Sequence, residues 1–249
     1  MDILVCVKRV PDTEARIQIG DDGRSIDPSG VKYVVSPYDE FAVEAALRTR
    51  EKVGEGQVTA VSLGDDSSQE TLRSALAMGA DRGVLLKGEV TMDGLSTAKV
   101  LAREVEESNP ALVLVGVKAV DDDQQQVGPM LATLLDRPCV TGVSEFEVQD
   151  GKLVCQREVE GGSEVVEVEL PAVLSITKGP FEPRYASLKG IMAAKKKPLD
   201  TKEVDVPEPA LVVEALEPPP EKEAGRIVGE GPEAVPELVR LLREEAKVL

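Results

Sequence analysis

Four short apolar runs constrain the fold of this chain: residues 2–7 (DILVCV), 57–64 (QVTAVSLG), 83–87 (GVLLK) and 111–116 (ALVLVG). Each is strand-length and largely apolar, which is how a strand reads when both of its faces are buried. Helical signals separate the runs. Ser36, Pro37 and Asp39 supply an N-cap, a first-turn proline and a first-turn acid ahead of Phe41, Ala42, Ala45 and Ala46 on one face. Ser67 and Glu70 have capping-box spacing before Leu72, Ala75 and Leu76, with Gly79 as the stop. A third amphipathic face runs through Leu95, Ala98, Leu101, Ala102 and Val105. Alternating strands and helices predict an α/β fold, a parallel central sheet covered on both sides. Between the first run and the first helix, residues 15–27 alternate around Asp22-Gly23 and predict a hairpin excursion.

The pattern changes after Pro138. Period-two alternation in CVTGVSEFEV, KLVCQREV and SEVVEVEL, with turns at Asp150-Gly151 and Gly161-Gly162, predicts a small antiparallel meander over residues 138–170. The run LPAVLSIT is expected to return to the main sheet. Residues 187–197 read as a short helix ending in three lysines, Lys195, Lys196 and Lys197, either a solvated helix end or a patch for acidic partners. From Pro198 to Pro220 there are six prolines, which predict an extended arm. An amphipathic helix through Val235, Leu238, Val239 and Leu242 closes the chain. Such an arm can fold back on its own domain or embrace a partner. The expected division is therefore residues 1–197 as the α/β domain and 198–249 as the arm.

Composition removes several functions. A formal charge of −17 over 249 residues is wrong for nucleic acid or an anionic membrane surface, both of which need a basic footprint. Without histidine there is no Ser-His or Cys-His nucleophile pair and no imidazole metal ligand. Binding is favoured over hydrolysis. Cys6, Cys139 and Cys155 are too far apart for a zinc site and odd in number, which fits a reducing compartment. The N-terminus has no basic region ahead of its short apolar run, and no 18-residue apolar stretch occurs. A cytoplasmic protein without membrane insertion is the expectation.

The stretch KAVDDDQQQVGP, residues 118–129, follows the strand-like ALVLVG and precedes the helical PMLATLLD. In an open parallel sheet, ligands sit beyond the carboxyl ends of strands, where a helix N-terminus offers free N–H groups to a phosphate. Aspartates there can accept from ribose hydroxyls, and glutamines can reach phosphate or base edges. A solvated acidic cap and a Mg²⁺ site on the triple aspartate are the alternatives. By itself the stretch does not choose among them.

Several stretches together carry a family resemblance: VCVKRVPDT, SPYDEFAVEAALR, SSQETLRSALAMGADRG, KAVDDDQQQVGPMLA, REVEGGSEVVEVELPAVLS and EPRYASLKGIMAAKKK, in this order. The chain resembles the electron transfer flavoprotein β subunit over nearly its whole length, most weakly after Pro198. The resemblance implies a three-layer αβα fold of the adenine-nucleotide α-hydrolase-like (Rossmann-like) kind and an electron carrier without substrate turnover of its own. It implies AMP in this subunit and FAD held mainly by an α subunit. AMP contacts carry over to Cys6, Ser36, Pro37, Tyr38, Asp39 and Leu63. They continue along Gly116, Val117, Lys118, Ala119, Val120, Asp121, Asp122, Asp123, Gln124, Gln125, Gln126 and Val127. Gln125 stands where AMP-type loops commonly carry Asn, and Val-Gly-Pro resembles the electron-bifurcating branch, which uses NADH and holds a second FAD here. Thr13 stands where an aromatic often lies near the flavin, and Cys155 where a small aliphatic residue is usual. EPRYASLKG is similar to the loop that docks acyl-CoA dehydrogenases, with Leu188 as the anchor and Tyr185 beside it, although a core leucine is the alternative. Glu158 matches a position tied to domain movement. A membrane quinone oxidoreductase is the implied electron acceptor. A signalling or stress module on the same sheet is the alternative of another class, and neither the docking loop nor the arm suits it.

Overall fold

All four apolar runs are strands of one sheet in the computed structural model, which describes residues 1–220 and 224–249. They form β1 (Ile3–Cys6), β4 (Val58–Gly64), β5 (Arg82–Lys87) and β6 (Leu112–Gly116). β1 pairs in parallel with β4 on one side and β6 on the other, and β4 pairs with β5. Alternate residues of each strand enter different cores. Ile3, Val5, Leu112 and Leu114 face α1 (Pro37–Val53) and α2 (Ser68–Met78), whereas Leu4, Cys6, Val113 and Val115 face α3 (Gly94–Ser108) and α4 (Val127–Leu134). That is why the runs read as continuous apolar sequence. Each leucine fully buried here contributes about 1.5–3 kcal/mol. The result is a three-layer αβα arrangement.

Between β1 and α1, the expected excursion is a two-stranded antiparallel sheet, β2 (Arg9–Pro11) with β3 (Tyr33–Val35), and one bridge between Ile19 and Ile26. Gly23 takes φ +66° in its turn. The capping box at Ser67 does not form: its hydroxyl donates to Asp65 instead, and the α2 cap makes no side-chain bond. Gly79 does end α2, its N–H donating to Ala75 O at 3.2 Å.

The meander continues the main sheet. β7 (Cys139–Gln149), β8 (Lys152–Val159) and β9 (Gly162–Glu169) are antiparallel neighbours, and β10 (Ala172–Ile176) returns to lie in parallel between β6 and β7. After α5 (Leu188–Ala194), the start of the proline-rich segment is itself a strand: β11 (Leu199–Glu203) pairs in parallel with β5. The finished sheet has nine strands in the order β11-β5-β4-β1-β6-β10-β7-β8-β9.

The chain divides into a unit of residues 1–215 and a second of residues 216–249. The second holds a 3₁₀ turn at Pro232–Ala234 and α6 (Val235–Glu244), and none of its described residues is buried. Among the described residues, no helix is long and apolar enough to cross a membrane.

Candidate functional site

Strand order locates the cleft. From β1 the sheet grows through β4 and β5 to one side and, by a later connection, through β6 and β10 to the other. At such a switch point the loops leaving two neighbouring strands separate, and a crevice opens beyond their carboxyl ends. A cleft lies there, floored by Cys6, Val7 and Gly116 from the ends of β1 and β6. Val61 and Leu63 of β4, with Leu101 and Val115, give it apolar walls. Val90, Thr91, Met92 and Asp93, which lead into α3, close one side, and the polar loop after β6 closes the other.

Two helix N-termini meet at this cleft. In α3 the first turn is satisfied by its own cap, since the Asp93 carboxylate accepts from Ser96 N at 3.0 Å and Ser96 Oγ at 2.6 Å. In α4 the capping position is Gln126, which makes no side-chain cap bond, so the first-turn N–H groups there lack a side-chain acceptor. Gly128 lets α4 approach the sheet this closely; a Cβ would stand 2.9 Å from Val115 Cγ2. Left-handed backbone at Asp123 (φ 51°) and Gln125 (φ 57°) makes the loop coil tightly ahead of the helix. Across the mouth, Gln124 Nε2 donates to Met92 O at 3.1 Å.

Asp39 fastens the floor. Its carboxylate accepts from Lys8 N at 2.7 Å and Gly116 N at 3.0 Å, joining α1 to the ends of β1 and β6. A Cβ at Gly116 would overlap that carboxylate, so glycine is required for the contact. Burial pushes the Asp39 carboxyl up to about 7, against the pull of the two N–H donors and the Lys8 charge. Burial, with the Asp39 charge beside it, also holds the Cys6 thiol high, so it forms a neutral part of the wall. Lys8 Nζ reaches Asp121 Oδ1 at 2.9 Å and Asp122 Oδ2 at 2.8 Å. Burial would lower this ammonium, but the two carboxylates outweigh it and hold it above its ordinary value. Lys118 Nζ takes Asp123 Oδ2 at 2.9 Å. The three aspartates are thus engaged by two separate lysines, and no metal-holding group of Cys, Asp or Glu occurs among the described residues.

A family model described as an electron transfer flavoprotein domain matches residues 24–207. The chain is 42% identical to the electron transfer flavoprotein subunit beta of Bradyrhizobium diazoefficiens, over the full length of both. It is 41% identical to the Bacillus subtilis protein of that name, again over both full lengths. Against the human protein of that name it is 40% identical over 99% of this chain and 98% of the other. The chain belongs to the electron transfer flavoprotein β subunit family.

Proteins of this family are electron carriers and do not turn over a substrate of their own. In this member the cleft gathers Cys6, Asp39, Leu63, Gly116, Val117, Lys118, Ala119, Asp122, Gln124, Gln125, Gln126 and Val127. Ser36, Pro37, Tyr38, Val120, Asp121 and Asp123 lie outside its lining. Ser36 is fully buried and its hydroxyl has no partner among the described residues, and the Tyr38 ring centroid is 5.9 Å from Lys118 Nζ. Sequence reasoning missed Lys8 and residues 90–94, because tertiary packing, not spacing, brings them to the loop. A readable signal was present at Asp93-Gly94, a capping aspartate just beyond the end of β5.

The other predicted positions lie elsewhere in the flavoprotein subunit. Glu158 is exposed near the tip of the β8–β9 hairpin, opposite Ser163. Tyr185 is 98% and Leu188 84% exposed, so Leu188 is not a core residue. Ser187 caps α5, accepting from Gly190 N at 3.0 Å. Of the three lysines, Lys197 is committed to α2, its Nζ donating to Leu76 O at 2.9 Å and Ala80 O at 2.6 Å, and only Lys195 and Lys196 are exposed.

Proposed function

We propose that this β subunit holds AMP in the cleft at the ends of β1 and β6 and works in a heterodimer with an α subunit that carries most of the FAD contacts. What carries the proposal is the α4 N-terminus: free N–H groups at a sheet switch point, with Lys8 and Lys118 in the same lining, suit a phosphate. Leu63, Val61 and Leu101 offer an apolar wall to the base, while Asp122 and the glutamines can accept or donate at the ribose. Lys8 would exchange part of its hold on Asp121 and Asp122 for the phosphate. Bound FAD supplies the redox chemistry; the protein's share is positioning and electrostatics. Electrons enter from dehydrogenases of the acyl-CoA type that dock at Leu188 and Tyr185, exposed apolar groups suited to anchor a transient interface. They leave to a quinone oxidoreductase, and the carrier itself works in the cytoplasm, consistent with cysteines left unpaired.

Acid extraction of the purified heterodimer followed by nucleotide chromatography tests the assignment. AMP with a single FAD is the expected result. Two FAD and no AMP would replace it with the electron-bifurcating form, to which Val127, Gly128 and Pro129 also bear a likeness. A heterodimer free of adenine nucleotide beyond its one FAD would leave the cleft without its proposed ligand.

A further inference from the structure

The segment between Phe181 and Lys197 is fastened at both ends, with two exposed side chains between the fastenings. At the first end, Arg184 lays its guanidinium against α1. Its Nε donates to Glu44 Oε2 at 2.7 Å, Nη2 to Glu44 Oε1 at 3.1 Å and Nη1 to Glu51 Oε1 at 2.7 Å, and its backbone N–H also reaches Glu44 Oε2 at 3.1 Å. Glu44 is only 2% exposed, and Arg48, one turn on, donates to it at 2.7 Å while stacking 4.0 Å from the Phe181 ring centroid. Burial would raise the Glu44 carboxyl, yet Arg184 and Arg48 hold it below its usual range. At the second end, Arg73 Nη1 donates to Ala194 O and, at 3.0 Å, to Lys197 O.

Between these anchors stand the exposed Tyr185 and Leu188. Beside them runs a groove whose lining includes Phe41, Ala77, Met78 and Ile191, with Tyr185 itself at its edge. An untethered Leu188 would gain by folding onto that apolar lining and leaving water. The arginine fork acts against this collapse. A planar guanidinium bonded along both edges fixes direction as well as distance, which a lysine could not do.

We propose that the Glu44–Arg184 pair is the positioning device of the docking loop: it holds the segment that presents Tyr185 and Leu188 in the geometry that a dehydrogenase meets. The cost of ordering the loop is then met when the protein folds and not at each encounter. This inference rests on the docking role proposed above for Leu188.

A double-mutant cycle on the FAD-loaded heterodimer separates the two. Steady-state reduction by an acyl-CoA dehydrogenase is measured for the unaltered protein, Glu44→Gln, Leu188→Ala and the double variant. Glu44→Gln is expected to raise the KM for the heterodimer about five- to tenfold, with kcat and flavin content unchanged. In the Leu188→Ala background it should add nothing, because the anchor it positions is gone. If Leu188→Ala raises KM and Glu44→Gln does not, or if their effects simply multiply, the positioning role is overturned while docking at Leu188 stands. If Leu188→Ala leaves KM unchanged, the docking role itself falls, and the positioning role with it. Should Glu44→Gln fail to fold, Arg184→Gln carries the same cycle, because that side chain is 34% exposed.

Discussion

Asp39 ties three elements through one carboxylate, and its environment gives it a pH signature. Its folded-state value of about 7 lies above the ordinary 3.8, so the native protein binds this proton more tightly than the unfolded chain does. The contribution is most favourable below about pH 4 and is lost progressively as pH rises toward about 7. Asp39→Asn removes the titration and turns one amide N–H₂ toward a backbone N–H. Thermal melts across pH 4–8 should show the unaltered protein losing stability relative to the variant as pH rises. A pH-independent difference between them would mean that the carboxylate titrates as in water. At this scale the sequence was half legible. A first-turn acid in α1 was expected at Asp39, but its bonds to Lys8 and Gly116 span the sheet and leave no trace in local spacing.

Elements with two buried faces or one strong stripe were legible; polar edges were not. The strands around β1 declared themselves because both faces enter cores, and the cleft loop did so because it follows such a strand. β11 reads LDTKE and has no buried residue, so nothing in its composition distinguishes it from an extended arm. Its place comes from backbone pairing to β5. The failed capping box at Ser67 has a similar cause, since Asp65 competes for the hydroxyl over a shorter span. α5 offers a test of packing against propensity. A Cβ at Gly190 would stand 2.6 Å from Ala77 O, forcing the helix off α2. That overlap costs about 1–3 kcal/mol, against a propensity gain of about 0.5–1 kcal/mol for alanine over glycine. Gly190→Ala should therefore lower the denaturant midpoint and speed amide exchange in residues 188–194. A midpoint unchanged or raised would show that α5 is loosely seated.

On the scale of the whole chain, residues 216–249 have no buried residue among those described, and α6 leaves Val235 at 51% and Leu238 at 43% exposure. A segment with so little core adds little to its own stability, which suits the second of the two readings of the arm, the embrace of a partner. Shortening the chain after Ala215 is expected to leave the cooperative melt of residues 1–215 nearly unchanged while weakening co-elution with the α subunit in gel filtration. A large fall in melting temperature would instead make the segment part of the fold. The position of β11 has another consequence, for the order in which the nascent chain matures. Gly83 leaves the ribosome long before its partner Leu199, so β5 waits as an unpaired, apolar margin until late in synthesis. Such margins invite pairing with the wrong neighbour. The strand that finally covers β5 carries Asp200, Lys202 and Glu203, charges that discourage a further strand from adding to it. Late arrival and a charged sequence make β11 a stopper on one side of the sheet, fitted after every residue that lines the cleft has been synthesised.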